Sequence, residues 1–339
     1  MATGLLSGTF MPPHAGHQLL VDFARAYVDE LVILCFAYDD DPIAPSARAA
    51  WLRELFPGAD VRLVDLEHLR DPQAATDTNW SQFLRAEFPG GVEYVFGSEP
   101  VCARIADVLG ARYLVLDGDR ELVAARGEDI RSDPLGNWEF LPGCVRPYYV
   151  KRVCLYGPHS ANRSALAEQL AIHYDTVAAY EYARRNFNGE PQDLDADMLV
   201  ALAQAQVASE AALARQANRV LICDSDPLTM QVWSKLLVGE VAGSLRDLAE
   251  RQSYDLHLLL DVDVPWLDPE LGFLSQSGGA RALNDHSDEA FNAFREALIL
   301  SERRYLRLSG EHDFRFRTAC DAIDNLLRET PVATETAES

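Results

Sequence analysis

Two histidines three residues apart stand at the first predicted helix start of the chain, directly after a short apolar run. His14 and His17 are separated by Ala15 and Gly16, and a glycine-containing turn precedes them. At a helix start, imidazole donors would lie beside unpaired backbone N–H groups and the positive end of the helix dipole. That combination suits a triphosphate. The alternative is that both histidines are ordinary polar residues of a loop and a first turn.

The spacing around the histidines is more specific than the pair itself. The stretch from Gly8 to His17 reads G-x-F-x-P-x-H-x-G-H, which resembles the phosphate motif of the nucleotidyltransferase superfamily. The predicted setting, a strand followed by a turn and a helix, is the one that such a motif requires. The resemblance implies that the nucleotide contacts the following motif residues: Gly8, Thr9, Phe10 and Gly16.

Apolar runs alternate with helix-like segments through the first half of the chain. Strands are predicted at 31–36, 61–66, 94–96 and 113–116, and helices at 18–29, 76–88 and 99–109. This alternation predicts a parallel sheet with helices on both faces, and ligands at the carboxyl ends of its strands. Two further segments, 39–41 and 126–131, could complete the phosphate site, or could be solvated turns.

Length, charge and cysteine spacing limit the function classes. With 339 residues, the chain is long enough for two α/β domains. A formal net charge of -23 argues against duplex nucleic acid and anionic membranes as partners. Six widely spaced cysteines without a C-x-x-C pair indicate free thiols. No signal peptide or apolar run long enough to cross a membrane is evident, so we expect a cytoplasmic protein.

A second glycine-containing turn follows an apolar strand at 153–156 and precedes a helix predicted at 165–173. It has the position of a Walker A loop, and Gly157 and Ser164 fit that pattern. Asn162 replaces the second glycine, however, and Arg163 replaces the lysine. The planar guanidinium of arginine does not copy a compact ammonium in a tight phosphate cradle. The sequence therefore predicts weak or altered ATP binding at this turn.

Two carboxylates end another predicted strand, at 219–223. Asp224 and Asp226 could hold Mg²⁺ or accept a hydroxyl proton during phosphoryl transfer. The alternative is that Asp226 caps a helix that begins at Pro227, and both roles are compatible. Further along, segment 272–284 is rich in glycine and serine and is predicted to be a lid, and residues 330–339 are predicted to be a disordered tail.

These motifs, in this order, resemble the NadR-type family, whose members join a nicotinamide mononucleotide (NMN) adenylyltransferase domain to a ribosylnicotinamide kinase domain. Besides the histidine motif, the resemblance rests on Phe96-Gly97-Ser98-Glu99, Ile130-Arg131, Asn137 to Pro142, Val145-Arg146, Glu181 to Arg184, Asp224 to Asp226, Leu228-Thr229, Trp233, Asp263 and Pro265-Trp266. It implies a Rossmann-like nucleotidyltransferase domain at 1–148 and a P-loop kinase-like α/β domain at 149–329.

For the first domain, the resemblance implies transfer of AMP from ATP to NMN, giving NAD and pyrophosphate. His14 and His17 would stabilise the phosphates, Arg131 would clamp them, and Mg²⁺ would accompany ATP. The resemblance also implies nucleotide contacts from three further residues: Ser98, Gly127 and Ile130.

For the second domain, the resemblance implies phosphorylation of ribosylnicotinamide. Its substrate and metal residues would be Glu181, Arg184, Asp224, Asp226 and Trp266. Because the departures from the family pattern fall on ATP-phosphate contacts at Asn162 and Arg163, we expect this kinase to be weak or lost. We expect its pocket to survive as a binding or regulatory site.

Two other functions stay open at this point. Arg126 and Glu128 stand where the adenylyltransferase pattern has small hydroxyl residues, which favours a related enzyme with another nucleotide or acceptor. A catalytically poor sensor or scaffold for pyridine nucleotides is the other alternative. Because the phosphate motif begins at Gly8, we expect no helix-turn-helix domain before it, unlike in the repressor members of the family. A homo-oligomer remains open.

Overall fold

The computed structural model describes residues 1–66, 77–158, 163–186, 195–263 and 287–329. The chain divides into two compact units, Met1–Val145 and Arg146–Ser339. Their boundary lies three residues before the one at 148 that the resemblance implies.

The first unit is a five-stranded parallel sheet with the strand order β3-β2-β1-β4-β5. Its elements are the strands β1 (Thr3–Gly8), β2 (Glu30–Ala37), β3 (Asp60–Asp65), β4 (Tyr94–Gly97) and β5 (Arg112–Val115), and the helices α1 (Ala15–Tyr27), α2 (Pro45–Leu55), α3 (Asp77–Glu87), α4 (Pro100–Leu109) and α5 (Gly127–Ser132). The predicted alternation of strands and helices is confirmed, with element ends within a few residues of the predictions.

Strand β2 is buried on both faces of the first sheet, which explains why it is a continuous apolar run in the sequence. Successive residues of β1 alternate between the faces. Leu5 belongs to one core with Leu34 and Val95, and Leu6 belongs to the other core with Ile33. The strand ends are consequently the places where polar side chains can gather.

The second unit is also a five-stranded parallel sheet, with the order β10-β9-β6-β8-β7. Its strands are β6 (Lys151–Tyr156), β7 (Ala178–Ala179), β8 (Val220–Asp224), β9 (Leu256–Leu260) and β10 (Tyr305–Leu308), and its helices are α6 (Arg146–Tyr149), α7 (Arg163–His173), α8 (Tyr182–Asn186), α9 (Ala196–Ala214), α10 (Pro227–Trp233), α11 (Gly243–Arg251), α12 (Ser287–Leu300) and α13 (His312–Arg328). The predicted class, two α/β domains in series, is confirmed.

Two differences from the predicted elements have clear physical reasons. Helix α9 begins at Ala196, later than the start of the helix that the sequence predicts over 193–217, because the Asp195 carboxylate accepts the Met198 N–H and caps it there. Helix α11 was not predicted because it buries only Leu245 and Ala249 in an otherwise polar stretch. None of the described helices is long and apolar enough to cross a membrane.

Several predicted features lie outside the described residues. They are Asn162, Trp266, the lid at 272–284 and the tail at 330–339.

Candidate active site

A cavity of about 980 Å³ lies at the carboxyl end of the first sheet. The ends of β1 and β4 border it, and these two strands are neighbours in the sheet although they are far apart in sequence. The chain order reverses between them, which is where ligands bind in sheets of this kind. The cavity brings together most of the residues predicted for the phosphate site: Gly8, Thr9, Phe10, His14, Gly16, His17, Ser98, Gly127 and Arg131.

The two histidines form a reciprocal cap at the start of α1. His14 is the N-cap residue, and its Nδ1 accepts the Gly16 N–H at 3.2 Å. The Nδ1 of His17 accepts the His14 N–H, also at 3.2 Å, and the two ring centroids are 3.8 Å apart. The pair therefore uses two of the backbone N–H groups that the sequence suggested would face a phosphate directly. The imidazole rings, and not these two backbone N–H groups, present donors to the cavity.

Both imidazoles are neutral at physiological pH. Burial, and after it the Arg120 guanidinium, lower the pKa of His14 to about 4. Burial, the His14 ring and Arg120 hold the pKa of His17 well below its ordinary value. Because each Nδ1 accepts a backbone hydrogen bond, the single ring proton of each histidine belongs on Nε2. Two Nε2–H donors are thus prepared for anionic oxygens without a fixed positive charge on either ring.

Two glycines are needed for this arrangement because a side chain would collide with its neighbours. A Cβ added at Gly16 would lie 3.1 Å from the His14 ring, so it would press on the ring that caps the helix. A Cβ added at Gly127 would lie 2.7 Å from the carbonyl oxygen of Met11. The start of α5 therefore packs directly against the histidine turn, which explains how segment 126–131 reaches the site.

Arg131 joins the same two segments. It is half-buried, lines the cavity and donates from Nη1 to the Met11 carbonyl. Its remaining N–H groups are not used in any described hydrogen bond. Ile130, the residue before it, is fully buried and does not line the cavity. The Ile130 side chain belongs to the hydrophobic interior, and the nucleotide contact that the resemblance implies at Ile130 stays a prediction.

The acidic loop at 39–41 serves the fold through an ion pair. Asp41 pairs with Arg48, whose side chain is fully buried. Arg48 also donates to the carbonyl oxygens of Thr9, Phe36 and Ile43. The sequence did not single out this arginine. Its hydrogen bond to the Thr9 carbonyl fixes the backbone of the phosphate motif. The suggestion that the acidic loop completes the phosphate site is thus corrected for Asp41, because its charge is used inside the protein.

Other residues complete the wall of the cavity. Ser98 lines it, but its Oγ donates to the Leu116 carbonyl at 2.7 Å, so the hydroxyl also holds the ends of β4 and β5 together. Phe10 is buried and packs its ring 4.8 Å from that of His17. Four arginines line the cavity, of which sequence reasoning missed two, Arg104 and Arg120. Neither stands in a recognisable motif.

The arginine of the second glycine turn is bound inside the second unit. Arg163 is 3% exposed, and its guanidinium donates to Asp224 at 2.5 Å, to Glu181 at 2.6 Å and to the Gly157 carbonyl at 3.2 Å. Ser164 donates to the other oxygen of Asp224 at 2.6 Å. The residues that take the places of the Walker A lysine and serine thus both bind the carboxylate at the end of β8.

Asp226 is also satisfied within the fold. Its Oδ1 accepts the N–H of Thr229 at 2.7 Å and the hydroxyl of the same residue at 2.8 Å, so the predicted cap of α10 is present. Its Oδ2 lies 3.1 Å from Nε2 of His257, which is fully buried. The rings of Tyr156 and Phe294 pack 5.2 Å apart in the same interior, and the Tyr156 ring lies 5.6 Å from that of His257. The two predicted substrate carboxylates therefore lie in a packed interior. Arg184 lies on α8, three positions after Glu181 in the sequence.

Comparisons with known proteins agree with these two units. The family described as "AAA domain" matches residues 152–312. The chain is 28% identical to the "Trifunctional NAD biosynthesis/regulator protein NadR" of Salmonella typhimurium and 27% identical to the protein of that name from Escherichia coli. Each match covers 96% of this chain and 83% of the relative. The chain is therefore similar to NadR proteins over nearly its whole length. This confirms the resemblance seen in the sequence.

Solved structures of NadR proteins share the fold over nearly the whole chain. The structure described as "NadR protein in complex with NR" matches with a TM-score of 0.75 and 19% identity, covering 96% of this chain and 95% of that one. The structure "in complex with NAD and AMP-PNP" matches with a TM-score of 0.69 and 20% identity, covering 96% of each chain. At these identities the structures show that the two-unit architecture of this chain is shared.

Proposed function

We propose that the first unit of this chain is an NMN adenylyltransferase that transfers the adenylyl group of ATP to NMN, giving NAD and pyrophosphate. The observation that carries the proposal is the neutral histidine pair, which caps α1 and faces the cavity at the carboxyl end of β1. Similarity to NadR proteins over nearly the whole chain supports the choice of ATP and NMN as substrates. Six free thiols suit the reducing cytoplasm, where we place the protein.

The reaction requires positioning and charge stabilisation more than acid–base chemistry. An oxygen of the NMN phosphate attacks the α-phosphorus of ATP, and the bond from that phosphorus to the bridging oxygen of pyrophosphate breaks. The attacking phosphate is largely ionised at neutral pH, so no side chain has to remove a proton from it. We assign His14 and His17 the role of donating from Nε2 to phosphate oxygens as negative charge redistributes in the transition state.

The rest of the cavity wall would position the substrates. We propose that Arg131 uses the N–H groups not bound to Met11 to clamp a phosphate, which a planar guanidinium does well. Gly8, Thr9 and Gly127 would offer backbone to the nucleotide at close range. Through its hydrogen bond to the Leu116 carbonyl, Ser98 would keep the part of the cavity wall at the ends of β4 and β5 rigid.

Magnesium fits this site as part of the substrate. Among the described residues, one group of three potential metal ligands is found, Cys154, Asp226 and His257, and it lies in the interior of the second unit. Thiol and imidazole ligands are not those that Mg²⁺ prefers, and Mg²⁺ in phosphoryl-transfer sites is commonly held by phosphates, water and one or two carboxylates. Glu99 and Glu128 are carboxylates in the cavity wall. We propose that Mg²⁺ enters bound to ATP.

The test is a coupled assay of purified protein with ATP, Mg²⁺ and NMN, following both NAD and pyrophosphate. Two variants of one residue separate catalysis from folding. His17→Gln keeps a side-chain acceptor for the capping hydrogen bond but removes the imidazole donor, whereas His17→Ala removes both. We expect both variants to lose at least about 100-fold in kcat, and only His17→Ala to lose helix stability. A folded wild-type protein that binds ATP but makes no NAD would refute the proposal.

For the second unit, we infer a kinase-like domain in which phosphorylation of ribosylnicotinamide is weak or lost. The support is that Arg163 donates to two carboxylates and a carbonyl, while Asp224 and Asp226 each have both oxygens engaged. The expected result is little NMN from ribosylnicotinamide and ATP. The double change Asn162→Gly with Arg163→Lys should recover some turnover if the remaining pocket is competent. Rapid NMN formation by the unmodified protein would overturn this inference.

A further inference from the structure

One cation of the cavity stands on a loop that is shaped to present it. Arg120 follows β5, and both it and Asp117 have a backbone φ of 56°, in the left-handed region that residues other than glycine seldom adopt. The Asp117 carboxylate accepts the N–H groups of Leu122 and Val123 at 2.9 and 3.0 Å. These local bonds compensate for the unfavourable backbone and fold the loop upon itself. The loop is therefore a built support that carries Arg120 to the cavity wall.

The guanidinium of Arg120 has one firm contact and one weak one. Its Nη1 donates to the Ala125 carbonyl at 2.8 Å, which anchors it to the protein. Its Nη2 lies 3.4 Å from Glu99, whose side chain is 65% exposed. Exposed ion pairs at this distance contribute little to stability. An anion in the cavity can therefore replace Glu99 at low cost, while the contact with Ala125 keeps the guanidinium in place.

The histidine pair explains why an anion should bind there. His14, His17 and Arg120 line the same cavity, and the charge of Arg120 disfavours protonation of both rings. Beside the two neutral imidazole donors, the cavity therefore offers the Arg120 cation, within a chain whose formal charge is -23. A phosphate can accept hydrogen bonds from imidazoles and pair with a guanidinium. A neutral ligand would leave Glu99 as the ion-pair partner of Arg120.

We propose that Arg120 binds the phosphate held by His14 and His17, and that this phosphate displaces Glu99 from Arg120. In the proposed reaction the phosphate belongs either to ATP or to NMN. The part of the inference that concerns turnover rests on the adenylyltransferase function proposed above, whereas the part that concerns phosphate binding does not. Arg120 and Arg131 stand at opposite ends of segment 120–131, and the two would act together.

Calorimetry with three probes tests the binding: inorganic pyrophosphate, a non-hydrolysable α,β-methylene analogue of ATP, and NMN. Arg120→Gln should weaken binding of the probe whose phosphate it contacts by about 10- to 100-fold, and the affected probe identifies the source of the phosphate. Glu99→Gln should tighten the same probe by about 2- to 5-fold, and this gain should vanish in the double variant. Arg112→Gln, the same charge change on an exposed residue of β5, is the matched control and should alter nothing.

A second measurement reports whether the charge of Arg120 acts on the histidine pair. The pKa of His14, followed by NMR, should rise from about 4 in Arg120→Gln yet stay below its ordinary value, because burial is the larger cause of the shift. Unchanged affinity for all three probes in folded Arg120→Gln would overturn the inference. Wild-type protein that binds pyrophosphate but makes no NAD would refute the proposed reaction. The effect of Arg120→Gln on pyrophosphate binding would still decide whether Arg120 binds phosphate.

Discussion

The sharpest prediction concerns Arg163, because its two possible roles have opposite consequences. If the arginine serves as a phosphate ligand in place of the Walker A lysine, its removal should lower ATP affinity and leave stability nearly unchanged. If it is the structural cation of a buried ion cluster, its removal should destabilise the second unit. Arg163→Met separates these outcomes, since methionine keeps much of the side-chain volume without the charge.

The structure gives the size of the expected effect. At 2.5 and 2.6 Å from Asp224 and Glu181, Arg163 gains roughly 6 kcal/mol of attraction from each at an effective dielectric constant of about 20. Desolvation of three buried ions offsets most of this gain. Losing one partner of such a cluster nevertheless strands the other charges, which costs about 3–5 kcal/mol. That is a large fraction of the stability of a typical domain.

Hydrogen exchange read by mass spectrometry in rising urea gives a separate unfolding midpoint for each unit. We expect Arg163→Met to lower the free energy of unfolding of the second unit, reported by peptides of α7 and β8, and to leave α1 unchanged. The triple variant Arg163→Met, Asp224→Asn, Glu181→Gln should recover most of the loss because no charge is left unpaired. Arg246→Met, the same change on an exposed residue of α11, should stay within about 0.5 kcal/mol of wild type.

A contrary result would be clear. If Arg163→Met unfolds at the wild-type urea concentration and binds ATP more weakly, the guanidinium is available to ligands and the ion cluster does not hold it. The inference that the kinase-like unit is impaired would then fall with it.

Two further predictions concern the first unit. Gly127→Ala places a Cβ 2.7 Å from the Met11 carbonyl oxygen, so α5 must retreat from the histidine turn, and kcat/KM for NAD synthesis should fall by at least about 10-fold; unchanged kinetics would contradict the close packing. His14 has a pKa of about 4 in the folded protein against 6.5 as its ordinary value. Between these values the unfolded chain binds a proton that the folded protein rejects, so stability falls as the pH drops from 6.5 towards 4, by roughly 3 kcal/mol. His14→Asn keeps an N-cap and should show a smaller decrease than wild type when urea unfolding is compared at pH 6.5 and 4.5, because the lowered pKa of His17 still contributes; an equal decrease in wild type and variant would place the titration elsewhere.

The strands and the phosphate turn could be read from sequence because the signals are local. A continuous apolar run such as 31–36 describes a strand that is buried on both faces, and a parallel sheet gathers the ends of all such strands at one edge. His14 follows β1 and was therefore expected at this edge, whereas Ser98, 84 positions further along, was implied only by the family resemblance. Both line the same cavity.

The buried and loop-borne arginines could not be read in this way. Arg48 looks like a solvent-facing residue of a short helix, and only the fold shows that Asp41 and three carbonyl oxygens from separate segments surround it. Arg120 reaches the cavity through two left-handed residues that no residue type signals, since neither is glycine. Positions of this kind depend on contacts between distant parts of the chain, which periodicity and motif spacing do not encode.

The two glycine turns of this chain show how the same local geometry can be kept for binding or used for structure. In the first turn, the helix-capping bonds go to the Nδ1 atoms of His14 and His17, so the outer nitrogen of each ring stays available to a ligand. In the second turn, the cation is not available to a ligand, because Asp224 and Glu181 accept hydrogen bonds from the N–H groups of Arg163 that a phosphate would need. An added phosphate would have to compete with two buried carboxylates there, whereas at Arg120 it would compete with one exposed carboxylate at 3.4 Å. Anion binding should accordingly be strong in the first unit and weak in the second, and NAD synthesis should depend on the first turn alone.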